Sequence, residues 1–284
     1  VGFFLLEKQA DLFGSSLALA VLSDGTTTLV IPNPEKKHLE EVTSTLAHTK
    51  SIIVHDLKSL LYIFYSEDIT LESKVLERMF DLTIASYLLE SSSRSHDIET
   101  VVKNTLNKKI PEFPVSFTKD TDFQKVGSIV SLFPSLQNVM EKKLKDQNIE
   151  KLFSEVEMAS APILFDMEQA GIKLDDGFLN ALSKDMGKMI DGLTKKIYKE
   201  TGEEFNVNSP SQLAEVLFQK LAIPTKGIKK TKTGFSTAAS ELEKMHDMHP
   251  VVPLIGEYRE LAKLKSTYVD VLPTLVGAES RIHT

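Results

Sequence analysis

Two polar runs carry the residue types that grip a phosphate: Phe205-Asn-Val-Asn-Ser-Pro-Ser-Gln-Leu213 and, one short helix later, Lys229-Lys-Thr-Lys-Thr-Gly-Phe-Ser-Thr237. Asn206 and Asn208 precede a helix start at Ser209, where backbone N–H groups and the positive end of the helix dipole favour an anion. The second run lines up small donors: Lys229, Lys230, Lys232, the hydroxyls of Thr231 and Thr233 and the backbone at Gly234, then Ser236 and Thr237 as caps of the next helix. Glu215 is the only acid from Phe205 to Ser240, although the 284-residue chain has a net charge of −7. A positive island on an acidic protein is what sequence-independent phosphate contact requires. On charge alone, a solvated lysine loop is the commoner explanation of such a run.

No covalent chemistry competes with this reading. The seven histidines are scattered without ligand spacing. His246 and His249 lie three apart beside Pro250, at an expected helix end, and read as surface residues. There is no phosphate-cradling glycine loop with its lysine, and no serine–histidine–acid arrangement can be inferred. With no cysteine there is neither a disulfide framework nor a thiolate metal site, which is compatible with a reducing cytoplasm. The 42% apolar and 26% charged residues belong to an ordinary folded protein, long enough for two domains. No apolar run approaches the length of a membrane span, and no signal peptide is expected.

The elements that would position the donors are legible from caps and periodicity. Ser209 is a good N-cap, Pro210 suits the first helical position, and Gln212 is expected to close a capping box. That helix should run from about residue 210 to 221, with Leu213, Val216, Leu217 and Phe218 inward and Pro224 beyond its end. Before it, Asp175 should cap a long helix ending at Gly202, with Leu179, Leu182, Met186, Met189, Leu193 and Ile197 on one side. After it, a helix over about 251–271 places Leu254, Tyr258, Leu261, Leu264 and Tyr268 on one face and Arg259, Lys263, Ser266 and Thr267 on the other.

The first half reads differently. Residues 1–6, 16–22 and 26–31 are strand-like, the last two joined by the turn residues Ser23-Asp-Gly25. Residues 38–47 and 56–64 read as helices around a buried strand at 51–54, with Asp56 as a cap; 80–89 and 97–106 are further helices. Residues 108–127 read as a surface loop. A helical stretch over 136–171 then carries Val156, Ala159, Ile163 and Met167 on one face and ends at Gly171.

From about Ala159 onward the chain resembles the bacterial DNA polymerase I family, the family A polymerases. The resemblance rests on Met167-Glu-Gln-Ala-Gly-Ile-Lys-Leu-Asp175, the two polar runs, Tyr258-Arg-Glu-Leu-Ala-Lys-Leu-Lys-Ser-Thr-Tyr268 and Arg281-Ile-His-Thr284, five blocks in the family's order. It implies an all-helical thumb subdomain that grips primer–template duplex through its phosphates, and assigns DNA backbone contact to Arg259, Lys263 and Thr267. The first half is similar, more weakly, to the α/β ribonuclease-H-like 3′–5′ exonuclease domain that precedes the thumb, through Phe80-Asp-Leu-Thr-Ile-Ala-Ser-Tyr-Leu-Leu89 and Asp97-Ile-Glu-Thr-Val-Val102. The expected division is an exonuclease-like domain over 1–150 and a thumb region over 151–284.

An active exonuclease of that family needs four carboxylates to hold two divalent metals, one activating water and the other stabilising the leaving oxygen. Here the first strand offers Leu5 and Glu7 at the paired positions, and the central carboxylate falls near Leu60. Asp56 stands where the family carries asparagine, and neither tyrosine nor aspartate occupies the last motif near Gly127–Ser131. One carboxylate of four cannot assemble the site, so the expectation is a vestigial domain with no catalytic residue and no metal.

The resemblance further implies a longer parent, a DNA-directed DNA polymerase whose palm uses Mg2+ and deoxynucleoside triphosphates, acting as a monomer in the bacterial cytoplasm. Both ends of the chain read as cut, and this portion alone is not expected to polymerise. Two alternatives stay open: a free-standing ribonuclease-H-like exonuclease, in which Glu7 and metal would matter, and a non-catalytic scaffold whose helices bind a partner protein.

Overall fold

The computed structural model describes residues 1–7, 17–111, 120–231 and 234–283. The chain forms two compact units, Val1–Gln169 and Ala170–Thr284.

In the first unit, β1 (Gly2–Glu7), β2 (Leu17–Ser23) and β3 (Thr28–Pro32) make an antiparallel meander. Asp24 forms its turn: Oδ1 accepts from the backbone N–H groups of Thr26 and Thr27 at 2.8 and 2.7 Å, and Gly25 adopts φ +92°. Helix α1 (Lys36–Ala47) leads to β4 (Ile52–Val54), which pairs parallel to β1. Then α2 (Leu57–Ser66) and α3 (Ser73–Leu76) lead to β5 (Met79–Asp81), parallel to β4, giving the order β3-β2-β1-β4-β5. Helices α4 (Leu82–Leu89), α5 (Ile98–Leu106), α6 (Asp120–Val130) and α7 (Phe133–Asp146) follow, and a wide π-helical turn (Leu152–Glu157) runs into α8 (Met158–Ala170).

Two apolar layers sandwich this sheet. Phe3, Ala20, Ile52 and Val54 pack with Leu39, Leu46, Phe64 and Phe165 from α1, α2 and α8. Phe4, Leu19, Val21 and Ile53 pack with Leu82, Val101, Ile129, Leu136 and Phe153 from α4 to α7 and the wide turn. This is why the first unit extends to Gln169, beyond the expected limit at 150. Phe153, Ala161 and Phe165 are core residues, and Glu168 accepts from Lys58 Nζ and Tyr62 Oη of α2, both at 2.7 Å.

Three expectations need correction. The segment read as a helix from Phe80 begins as a strand: Phe80 lies in β5, and Asp81 caps α4. Residues 120–127, read as loop, are helical in α6. The face predicted for α8 is reversed, since Val156, Ile163 and Met167 are 50%, 60% and 63% exposed. The wide turn shifts the phase of the periodicity, and Pro162 inside α8 brings no backbone N–H to its ladder.

Near the start of the second unit, Gly171 ends α8 with a φ of +62°, and a hypothetical Cβ on it would sit 2.7 Å from the Ile282 carbonyl. Strand β6 (Ile172–Lys173) leads into α9 (Asp176–Thr201), capped by Asp175 and ended by Gly202. The helix α10 (Pro210–Ala214) continues as a wide turn to Lys220. Strands β7 (Lys230–Thr231) and β8 (Gly234–Phe235) form a hairpin before α11 (Ala239–Glu243) and α12 (Val251–Leu264), whose end widens over Lys265–Val269. Finally β9 (Arg281–Ile282) pairs antiparallel with β6, and Arg281 Nη1 donates to the Ala170 and Gly171 carbonyls at 2.8 and 2.9 Å. The core holds Ile197, Val207, Leu213, Leu217, Ile223, Leu242, Met245 and Ile255. Of the stripe predicted for α9, only Met186, Leu193 and Ile197 are buried; Met189 is 50% exposed.

Asp81 is the polar centre of the first unit. It is 2% exposed, and its carboxylate accepts from the backbone N–H groups of Leu57 at 2.6 Å, Thr83 at 2.6 Å and Ile84 at 3.2 Å. It thereby ties the start of α2 to the start of α4. Burial pushes the carboxyl above its ordinary value, against the pull of these N–H groups and of His55. The folded state therefore holds its proton to higher pH than the unfolded chain, so this group makes stability fall as pH rises from the unfolded value of about 3.9 towards the raised folded one. Asp81→Asn should remove that slope and, by aiming an amide NH2 at backbone donors, lower stability by about 1–3 kcal/mol. Urea titrations followed by circular dichroism at several pH values check this, and a curve matching the wild type at every pH would contradict it.

Candidate nucleic-acid interface

The first polar run folds as a turn in front of α10. Asn206 Oδ1 accepts from Asn208 N–H at 2.9 Å, and the Asn206 carbonyl accepts from Ser209 N–H at 2.9 Å. Ser209 caps α10, its Oγ accepting from Gln212 N–H at 3.4 Å. The expected capping box is displaced by one turn of chain, because Gln212 Oε1 accepts from Asn206 N–H at 2.7 Å instead of from Ser209. Val207 is buried and pins the turn, leaving Asn206 and Asn208 exposed. Asn208 Nδ2 donates to the Tyr258 hydroxyl of α12 at 3.0 Å.

The second run is the β7–β8 hairpin and its flanks. Lys230 pairs with Phe235 and Thr231 with Gly234, whose φ of +136° suits glycine. The Lys230 ammonium lies 5.8 Å from the centre of the Phe235 ring, which packs on Phe218 with centroids 5.4 Å apart. Thr231 Oγ1 donates to the Gly234 carbonyl at 2.9 Å. Lys229 and Lys230 are exposed. Lys232 and Thr233, expected to share in the contact, lie outside the described residues.

At the hairpin's base the expected caps are corrected. The N-cap of α11 is Ala238, and Ser236 Oγ instead accepts from Ala238 N–H at 3.2 Å. Thr237 is buried, and both its carbonyl and its hydroxyl accept from the Arg259 guanidinium. Arg259 is half-buried, and burial lowers its pKa. It braces the hairpin from within, whereas Lys263, one turn on, and Thr267, beyond the start of the widened turn, are exposed. The predicted apolar stripe of α12 is also displaced: Val251, Val252, Ile255 and Val269 are buried, while Leu264 and Tyr268 are exposed.

Sequence reasoning missed two residues here. Tyr258 was assigned only to the apolar face, yet its hydroxyl receives the Asn208 amide. Glu241 lies just past the acid-poor window; its side chain is buried and accepts from Lys229 N–H at 3.1 Å. Hydrogen bonds from Lys244 and then from that N–H hold its carboxyl below the usual range. The structure thus gathers Asn206, Asn208, Ser209, Lys229, Lys230, Thr231, Gly234, Ser236 and Thr237 around α12, with Lys263 and Thr267 farther along that helix.

The exonuclease positions hold no comparable cluster. Leu60 is a core residue of α2, and Asp56 caps that helix through Ser59 N–H at 3.1 Å. A Cβ on Gly127 would lie 3.3 Å from the Thr28 methyl of β3. Among the described residues no group of three or more histidine, aspartate or glutamate side chains is placed to hold a metal. No helix among them is long and apolar enough to cross a membrane.

Comparison with known proteins agrees with this two-unit arrangement. Residues 9–112 match the family described as the DNA polymerase I ribonuclease H-like domain, and residues 176–284 match DNA polymerase family A. DNA polymerase I of Caldicellulosiruptor bescii is 34% identical over 93% of this chain, and that of Bacillus subtilis is 33% identical over 72%. The chain spans 29% and 24% of the length of these relatives. Among solved structures, the polymerase domain of Pol1 from M. smegmatis, in complex with DNA primer-template and dNTP, superposes with a TM-score of 0.78 at 24% identity. That match covers 100% of this chain and 48% of the other, and it establishes the fold. A ribonuclease-H-like domain followed by a helical unit is therefore the class of molecule present. The chain belongs to the DNA polymerase I family of family A DNA polymerases.

The inward role of Arg259 has a measurable consequence. Arg259→Met keeps the apolar stem but leaves the Thr237 carbonyl without its partner, which should cost about 1–3 kcal/mol of unfolding free energy. Urea denaturation monitored by circular dichroism reads this loss, and an unchanged midpoint would contradict the bracing role.

Proposed function

We propose that the Ala170–Thr284 unit is the thumb of a DNA polymerase I type enzyme, a DNA-directed DNA polymerase, and that it holds primer–template duplex by sequence-independent phosphate contacts. The observation that carries this reading is the arrangement around α12. Asn206, Asn208, Lys229 and Lys230 face solvent on turns braced by Tyr258, Thr237 and Arg259, while the nearby carboxylate of Glu241 is turned inward and paired. Lysines address phosphates as point charges, and hydroxyl, amide and backbone donors supply shorter-range contacts. Lys263 and Thr267 extend the contact along α12, and Lys232 and Thr233, which follow Thr231 in sequence, are assigned a share in it. Arg259 serves chiefly by holding the hairpin. Such contacts read no base sequence.

The first unit serves this enzyme as a ribonuclease-H-like domain without proofreading chemistry. The apolar side chain of Leu60 in the core, where the central carboxylate is needed, supports that reading. Deoxynucleoside triphosphates and Mg2+ belong to the parent enzyme's transfer reaction in the bacterial cytoplasm; the residues of this chain are assigned no metal ligation.

Phosphate contact by Lys229, Lys230, Lys232 and Lys263 should give a slope of log affinity against log salt of about −3.5. Fluorescence anisotropy with a short primer–template duplex at several salt concentrations measures it, beside a variant carrying alanine at Lys229, Lys230 and Lys232. The account expects the variant to bind more weakly with a slope shallower by about 3. Affinity independent of salt, or indifferent to the three lysines, would contradict it.

A further inference from the structure

Thr237 and Glu241 are the buried polar side chains of the second unit among the described residues, and both act on the β7–β8 hairpin. The carboxylate of Glu241 lies at the centre of a clamp. Its Oε2 accepts from Lys229 N–H at 3.1 Å, and the Lys244 ammonium donates to Oε1 and Oε2 at 3.0 and 2.9 Å. The same ammonium reaches the Gly227 carbonyl at 3.3 Å, so one ion pair on α11 holds the chain on both sides of Ile228, itself a core residue. Across the hairpin, Ser236 N–H donates to the Lys229 carbonyl at 2.8 Å. Lys229 is thus fixed at its N–H by α11 and at its carbonyl by the returning strand.

A hairpin this short has little stability of its own. Its two cross-strand pairs, Lys230 with Phe235 and Thr231 with Gly234, do not define where the lysines point unless the base is held. We propose that Glu241, an acid beside a cationic surface, is the positioning residue for the phosphate-contacting lysines. Its carboxylate sets the Lys229 backbone, and through it the direction in which Lys229 and Lys230 leave the hairpin. This rests on the reading of the unit as a DNA grip and adds to it the group that determines the grip's geometry.

Simple electrostatics and positioning predict opposite signs. As a negative charge near the bound phosphates, Glu241 should oppose binding, and Glu241→Val, which also releases Lys244, should tighten it. As the clamp of the hairpin base, Glu241 is needed, and the same change should weaken binding although it adds net positive charge. Glu241→Gln keeps a side-chain oxygen for Lys229 N–H while removing the charge, so it should bind as well as the wild type or better.

The test measures duplex binding by the full 284-residue chain over a salt series for wild type, Lys230→Ala, Glu241→Val and Glu241→Gln. Amide hydrogen exchange of segment 229–236 is followed in parallel. Glu241→Val is expected to weaken binding about tenfold at low salt and flatten the salt slope by about 1 to 2, with faster exchange in the hairpin. A variant that merely unfolds part of the sample would lose binding capacity at an unchanged slope. Glu241→Val binding as tightly as wild type, or with an unchanged slope, overturns the proposal, as does a Glu241→Gln variant as weak as Glu241→Val. If wild type and Lys230→Ala bind alike, the grip reading itself fails. If Lys230→Ala is weak and Glu241→Val is not, only the positioning role fails.

Discussion

The second unit depends on a guanidinium turned inward. Arg259, partly desolvated, holds the carbonyl and hydroxyl of Thr237, and so ties the point where the hairpin joins α11 to the middle of α12. Buried charge is costly unless it is hydrogen-bonded, so the contact is made at one geometry or not at all. Tyr258, the preceding residue, reaches the other polar turn through Asn208. One helical segment therefore sets two separate loops at once, and the exposed lysines inherit their positions from it.

The first unit solves a related problem with the opposite charge. Asp81 ends β5, caps α4 and takes the first N–H of α2, so a single carboxylate joins two helix starts at the end of the parallel pair β4–β5. Helix starts leave unpaired N–H groups and a positive dipole, which a buried anion satisfies together. Both units thus place a hydrogen-bonded ionisable side chain inside as a joint between elements. In the second unit this leaves Lys229, Lys230 and Lys263 outside, available to a polyanion.

What the sequence revealed was local chemistry. Asp56, Asp175 and Ser209 were readable as caps because capping depends on one side chain and the next few N–H groups. Gly171 and Gly202 were readable as helix ends for the same reason. The misreadings came where the register changes or the partner is distant. Strand β5 is too short to show alternation before Asp81 starts a helix. The widened turn at Leu152–Glu157 shifts the 3.6-residue period ahead of α8, and α12 buries Val251, Val252 and Ile255, which the predicted stripe left out. Arg259 was placed among outward cations because its partner lies 22 residues away in sequence. Glu241 escaped notice because the acid-poor window, whose one acid is Glu215, ended one residue before it.

The central claim is that the braced surface around α12, and not the sheet-containing unit, receives the DNA. Backbone amide resonances of the isotopically labelled chain, recorded with and without a short primer–template duplex, test it most directly. The account predicts perturbations at Asn206, Asn208, Lys229, Lys230 and Lys263, with the amides of β1, β4 and β5 unmoved. Perturbations confined to residues 1–169, or none in the second unit at saturating duplex, would contradict it.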